Sequence, residues 1–231
     1  MVWDPDGWIA PQAKVVPATG ECHVWFVRAA SPEPWAALLS SVERAQVGAF
    51  RLESSRRMFI TSRATQRLVV AHYSGIDATA VKIDRSCEHC GDPRHGRPAV
   101  ADAPIDYSVS HSGDWLVMAV VGDGRVGVDL EEPRNISDLD GLASATFSPA
   151  EYAEFRGGAA VDFYRTWTRK ESVVKLTGRG LAAKLSDVDV RGGRVDGIYL
   201  TELSVPGGYA GALASSVELH TIRFCRLNWR F

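Results

Sequence analysis

The chain has 231 residues, 45% of them hydrophobic, and 26 Lys and Arg against 28 Asp and Glu leave a formal net charge of −2. Such a length carries one large domain or two small ones with cores of their own. The near balance of charge argues against a general nucleic-acid or membrane-surface binder and confines anion binding to local basic patches. The start, Met1-Val2-Trp3-Asp4-Pro5-Asp6, lacks the basic residues and apolar run of a signal peptide. No stretch reaches the length of a membrane span, so a cytoplasmic protein is expected.

Residues 1–20 hold Pro5, Pro11, Pro17, Gly7 and Gly20 and read as an irregular lead-in. The β-branched and aromatic run Cys22–Val27 predicts a first strand, broken by Ser31-Pro32-Glu33-Pro34. From Trp35 to about Tyr73 the apolar spacing is helical, with Leu38, Leu39 and Val42 leading. This region is rich in arginine, and Arg56, Arg63 and Arg67 fall on one helical face; a solvated face accounts for such a row as well as an anion site does. Residues 84–104 form a loop rich in Gly, Pro and His. Within it, Cys87, Cys90 and His95 invite a zinc reading, but the second half of a paired-cysteine signature is missing. Free thiols are expected, and a disulfide is not.

Tyr107–Ser110 predicts a short strand running into His111, and Trp115–Val121 a strongly apolar one. Gly122-Asp123-Gly124 reads as a hairpin turn, with Val126–Glu131 as the partner strand. On that strand Gly127, Asp129 and Glu131 share one face while Val128 and Leu130 point to the other. Ser148-Pro149-Ala150-Glu151 carries a helix-start signature, with Ser at the N-cap, Pro at the first helical position and Glu at the capping-box position. A further helix covers about Val161–Leu176 and ends at Gly178. Val188–Val190, Gly197–Leu200 and Ala212–Val217 read as strands. The layout of the first half thus returns in the second, although no sequence repeat is obvious.

Two stretches carry the chemistry. Asp129 and Glu131 lie two residues apart on one strand face. In Trp167-Thr168-Arg169-Lys170-Glu171-Ser172-Val173-Val174-Lys175, Glu171 stands one helical turn before Lys175 and one after Trp167. Three carboxylates with a lysine and a histidine suit a hard cation and an anionic substrate, and Mg²⁺ takes one or two carboxylates plus substrate phosphates. The bland alternatives are a solvated strand edge for Asp129 and Glu131 and an i,i+4 helix pair for Glu171 and Lys175. Gly127 beside them would let a ligand or metal approach the backbone.

Taken with Gly96-Arg97-Pro98, Ser110-His111-Ser112 and Gly178-Arg179-Gly180-Leu181, these elements resemble the 4′-phosphopantetheinyl transferases of the larger, surfactin-type class. The resemblance runs from about Arg44 to about Val190. It implies an α+β fold of two similar halves in a pseudo-twofold arrangement, with the active site at their interface. We place the boundary at Gly122, giving halves 1–121 and 122–231. It also implies transfer of the phosphopantetheine arm of coenzyme A to a serine of an apo acyl or peptidyl carrier protein, by a monomer dependent on Mg²⁺ (or Mn²⁺). Carriers of polyketide, non-ribosomal peptide or siderophore assembly are the expected partners. A housekeeping modifier of the fatty-acid carrier and a non-catalytic coenzyme A- or carrier-binding module are the rivals.

By the same resemblance, Asp129, Glu131 and Glu171 are the metal ligands. Glu171 is also the base for the carrier serine, and Lys175 contacts phosphate and assists the leaving group. Ser110 and His111 contact coenzyme A, as does Arg97 in the Gly-x-Pro element, with a planar face able to stack on adenine. Arg57 fits the N-terminal phosphate-binding arginine. The upstream lysine pair of the family has no clear match, and Arg44 is its nearest substitute. Glu151 is explained by its capping role and is not counted as a ligand, and Trp167 is expected in the core.

Overall fold

A computed structural model describes residues 15–29, 33–87, 90–92, 96–180 and 183–226. The first half runs β1 (Glu21–Arg28), α1 (Glu33–Ala36), α2 (Ser41–Val47), α3 (Glu53–Ser74), β2 (Asp106–Ser112) and β3 (Trp115–Val121). The second runs β4 (Val126–Glu131), α4 (Leu139–Thr146), α5 (Pro149–Phe155), α6 (Ala160–Thr177), β5 (Arg194–Val195), β6 (Ile198–Glu202), β7 (Ala210–Ser215) and β8 (Thr221–Arg226). The fold is α+β, with two four-stranded sheets ordered β2-β3-β1-β8 and β4-β7-β6-β5.

The two halves share one path. β1, long helix α3, β2 and β3 build the order β2-β3-β1, and β4, long helix α6, β6 and β7 build β6-β7-β4. Strand β8 departs from that symmetry, because it crosses back and pairs in parallel with β1, Cys22 opposite Ile222. A boundary at Gly122 therefore leaves one strand of the second half in the sheet of the first.

The expected hairpin is overturned. Among the described residues, β3 pairs with β1 and β2 and β4 with β7, not with each other, so Gly122–Gly124 carries the chain between sheets. Burial explains it. Val126, Val128 and Leu130 of β4 are fully buried against Val24, Phe26, Val117 and Ala119 of the first sheet, a face-to-face packing that a coplanar hairpin would forgo. Each such side chain contributes about 1.5–3 kcal/mol. The opposite face of the first sheet packs Trp25, Leu116, Met118 and Val120 under α3. Val173 and Leu176 of α6 lie on Ala214 of β7.

The helical region 35–73 holds the end of α1, then α2 and α3. Ser40 caps α2 with a full capping box to Glu43, and Val42 is exposed at 67% rather than on a core face. Helix α6 ends as expected on Gly178, in the left-handed conformation at φ 70° that a C-cap glycine supplies. Val188–Val190 is not a strand; its segment follows a 3₁₀ turn at Leu185–Asp187.

Candidate active site

β4 is an edge strand, and its free edge lies against the face of β2. Short polar side chains on β2 cap that edge. Asp106 Oδ2 accepts from Val126 N (2.8 Å), Ser108 Oγ from Val128 N (3.1 Å) and Ser112 Oγ from Glu132 N (3.0 Å). Each rung spans 20 residues, so the two strands run parallel in a fixed register. A buried backbone donor left unmet costs about 1–3 kcal/mol, which is the physical reason for Asp and Ser at alternate positions here.

At the position between, Ser110 turns its hydroxyl into the site. It donates to Asp129 Oδ1 (2.8 Å), and Lys175 Nζ reaches both Ser110 Oγ (2.7 Å) and Asp129 Oδ1 (2.6 Å). Ser112 likewise donates to Glu131 Oε2 (2.9 Å). The expected same-face pair Asp129 and Glu131 therefore meets the serines flanking His111, across the line between the halves.

Helix α6 supplies the rest. A Cβ on Gly127 would run into the Ser172 carbonyl and the Leu176 amide, so the glycine admits the helix, not a ligand. That close approach brings Glu171 and Lys175 over Asp129. Burial, aided by Asp129, pushes the Glu171 carboxyl above the usual range, with Lys175 opposing. Burial and Asp129 likewise raise Glu131, against the Ser112 hydroxyl and Lys175. Asp129 is 2% exposed, and its Oδ2 is buried with no hydrogen-bond partner. An open carboxylate oxygen beside two crowded carboxyls fits a hard cation. Among the described residues, no three His, Cys, Asp or Glu side chains form a ready-made metal cluster.

A basic cavity of about 690 Å³ opens in the first half. Arg44, Arg63, Arg67, Lys82 and Arg85 line it, with Glu43 between the arginines. Glu43 pairs with Arg67 at 2.8 Å and Arg63 at 3.6 Å, and Arg85 donates to Gln66 (2.6 Å). Arg44 lines the cavity while its guanidinium also holds the Leu39 carbonyl. Arg63, and not Arg57, is among the lining residues. Arg85 and Lys82 carried no motif and were not anticipated. Arg56 lies on the same helix but is not among the lining residues, and it pairs with Glu53 at 2.5 Å. His111 is exposed on the helix side of β2, and the surrounding protein, then Lys175 and Arg63, lowers its pKa. It stands electrostatically between cavity and carboxylates.

Arg97 does not offer a free guanidinium. It holds both carboxylate oxygens of Asp106 and donates to the Val126 carbonyl (2.9 Å). Lys170, inside the Trp-x-x-Lys-Glu motif, is fully buried and paired with Glu151 at 2.6 Å, and it also donates to the carbonyls of Leu185 and Val188. Glu151 thus does more than cap α5: it anchors α6 and takes the Val190 amide (2.7 Å). Trp167 stacks on Phe163 at the rim of an aromatic cluster, half-buried, and walls a cavity of about 230 Å³ that Glu131 and Glu132 also line. Among the described residues, no disulfide joins Cys22, Cys87, Cys90 or Cys225. His95 lies outside the described residues.

Two family models divide the chain between them. That of the 4′-phosphopantetheinyl transferase superfamily matches residues 125–224, and that of the 4′-phosphopantetheinyl transferase N-terminal region matches 25–122. The 4′-phosphopantetheinyl transferase HetI of Nostoc sp. is 32% identical over 191 residues, covering 79% of each chain. The chain belongs to the 4′-phosphopantetheinyl transferase family. A 4′-phosphopantetheinyl transferase of Bacillus subtilis is 30% identical over 161 residues, 64% of this chain and 67% of its own. AcpT of Salmonella typhimurium is 39% identical over 99 residues, 41% of this chain and 51% of its own. The protein is thus an enzyme that transfers 4′-phosphopantetheine from coenzyme A to carrier proteins. Among the described residues, no helix is long and apolar enough to cross a membrane.

Proposed function

We propose that the basic cavity takes the adenosine end of coenzyme A and that the carboxylate site beneath α6 performs the transfer. The observation that carries this is Asp129: buried, with one oxygen shared by Lys175 and Ser110 and the other unpartnered. Arg44, Arg63, Arg67, Lys82 and Arg85 would neutralise the phosphate of the ribose, with His111 between them and the diphosphate. Asp129, Glu131 and Glu171 would hold Mg²⁺, or Mn²⁺ in its place. A bound cation of this kind supplies charge neutralisation at the diphosphate.

The chain's own residues then have distinct tasks. Lys175 brings a point charge to the bond that breaks and stabilises the departing adenosine bisphosphate. Glu171, its carboxyl raised by burial, accepts the proton of the incoming carrier serine; a base poised nearer neutrality works better than an ordinary glutamate. Ser110 orients Asp129 and Lys175 together. Two halves in one chain let a monomer act, cytoplasmic and serving assembly-line carriers, as the resemblance implies.

Incubation with coenzyme A, Mg²⁺ and a panel of apo carrier proteins tests this by mass. Gain of one phosphopantetheine on a carrier serine is expected, with Asp129→Ala inactive though folded. Undiminished transfer by folded Asp129→Ala would overturn the site.

A further inference from the structure

The rung at Val126 differs from the others. Asp106 accepts from its amide, and Arg97, gripped by both Asp106 oxygens, donates to its carbonyl. An arginine–carboxylate pair thus meets both backbone groups of one residue, as a neighbouring strand would. The pair is shielded, with Arg97 13% and Asp106 22% exposed. Gly96 fixes the approach. Its amide donates to the Arg85 carbonyl (2.7 Å), and a Cβ there would collide with the backbone of Arg85 and Ser86. Val126 is the first residue of β4 after the chain passes between the sheets. Whatever holds it sets where Asp129 and Glu131 fall against Ser110 and Ser112.

We propose that Arg97 and Asp106 form a clamp that sets the register of β4 on β2, making Arg97 a positioning residue and not a contact for coenzyme A. The clamp acts on the carboxylates through the strand. A one-residue slip would send Asp129 and Glu131 to the opposite face, and a shift of about 1 Å in a reacting group can cost about 100-fold in rate. The turnover arm of the test rests on the transferase reading above; its other arms do not.

The test compares Arg97→Ala, Asp106→Ala, the double variant and Asp106→Asn. Calorimetry reads coenzyme A affinity, saturating assays read turnover, and thermal unfolding reads the fold. Each alanine variant should lower turnover about 10- to 100-fold. The double variant should be no worse than the poorer single one, because the two residues act as a unit. Coenzyme A affinity should change by less than about twofold. Asp106→Asn keeps one oxygen that can accept from both Val126 and Arg97 while its amide faces the second guanidinium nitrogen, and it should restore part of the turnover. A coenzyme A affinity lost tenfold or more in Arg97→Ala but unchanged in Asp106→Ala would overturn the clamp, as would losses that multiply in the double variant. If the wild-type chain transfers nothing to any carrier, the functional reading fails. The clamp then stands or falls on whether the two unfolding-temperature losses coincide in the double variant or add.

Discussion

Each half carries the same device in front of its long helix, and the two use it differently. In the first, Ser40 and Glu43 form a capping box, and Glu43 reaches Arg63 and Arg67 of α3. In the second, Ser148 and Glu151 form a capping box, and Glu151 reaches Lys170 of α6. The Glu151–Lys170 pair is sealed, at 2% and 0% exposure, while Glu43 faces a cavity. One copy locks a helix; the other holds arginines ready for an anion. Where burial is complete, the ion pair must satisfy every polar atom itself, as Lys170 does with three acceptors. Where a cavity remains, a phosphate can compete for the cations. The same scaffold therefore presents positive charge from the first half and carboxylates from the second, on either side of the proposed reaction.

The largest effect expected from this division lies in the second half. Glu171→Gln should cut saturated turnover about 10²- to 10⁴-fold, the range for a lost general base, with coenzyme A affinity falling far less. The same variant should be more heat-stable than the parent at neutral pH. A carboxyl raised in the folded state contributes stability below its ordinary value of 4.5 and loses it as pH rises through the folded value. The gap in melting temperature should therefore open as pH rises above about 4.5. Equal melting curves at all pH values would show that the Glu171 environment is unstrained.

Next comes the paired device. Lys170→Ala leaves Glu151 buried and unpaired and should destabilise the fold by about 3–5 kcal/mol. Glu43→Ala, at the copy that faces a cavity, should cost about 1 kcal/mol, since the cavity gives water access to the cations left behind. Denaturant titrations of both variants check the contrast, and comparable losses would erase it. The last comparison concerns the cavity itself. Arg63→Ala should weaken coenzyme A binding by about 1.5–3 kcal/mol while saturated turnover holds, whereas Arg57→Ala should leave affinity unchanged. Calorimetry on the pair decides which arginine serves the ligand.

Much of this was legible in residue order. β3 and β4 have the predicted bounds, α6 ends on its predicted glycine, and the alternation Gly127, Asp129, Glu131 sets the carboxylate face. The repeated Ser-x-x-Glu before each long helix was also present, at Ser40–Glu43 and Ser148–Glu151, although the halves showed no obvious repeat. It was missed because a capping box is a local signal that occurs in many unrelated helices.

Local sequence determined what each segment is: periodicity, caps and turn residues act within a few positions, and those forces need no partner to be read. Only the tertiary structure decided which segments meet. The choice of β7 over β3 as the partner of β4 turned on burying Val126, Val128 and Leu130 between two sheets, an energy that no window of sequence contains. The same packing turned Arg97 from a free cation into half of a clamp, selected Arg63 over Arg57 for the cavity, and stacked α6 on Gly127 so that Glu171 and Lys175 reach a carboxylate more than forty residues upstream. Long-range contacts are set by the summed burial of whole elements, and a side chain's chemistry depends on where that sum places it.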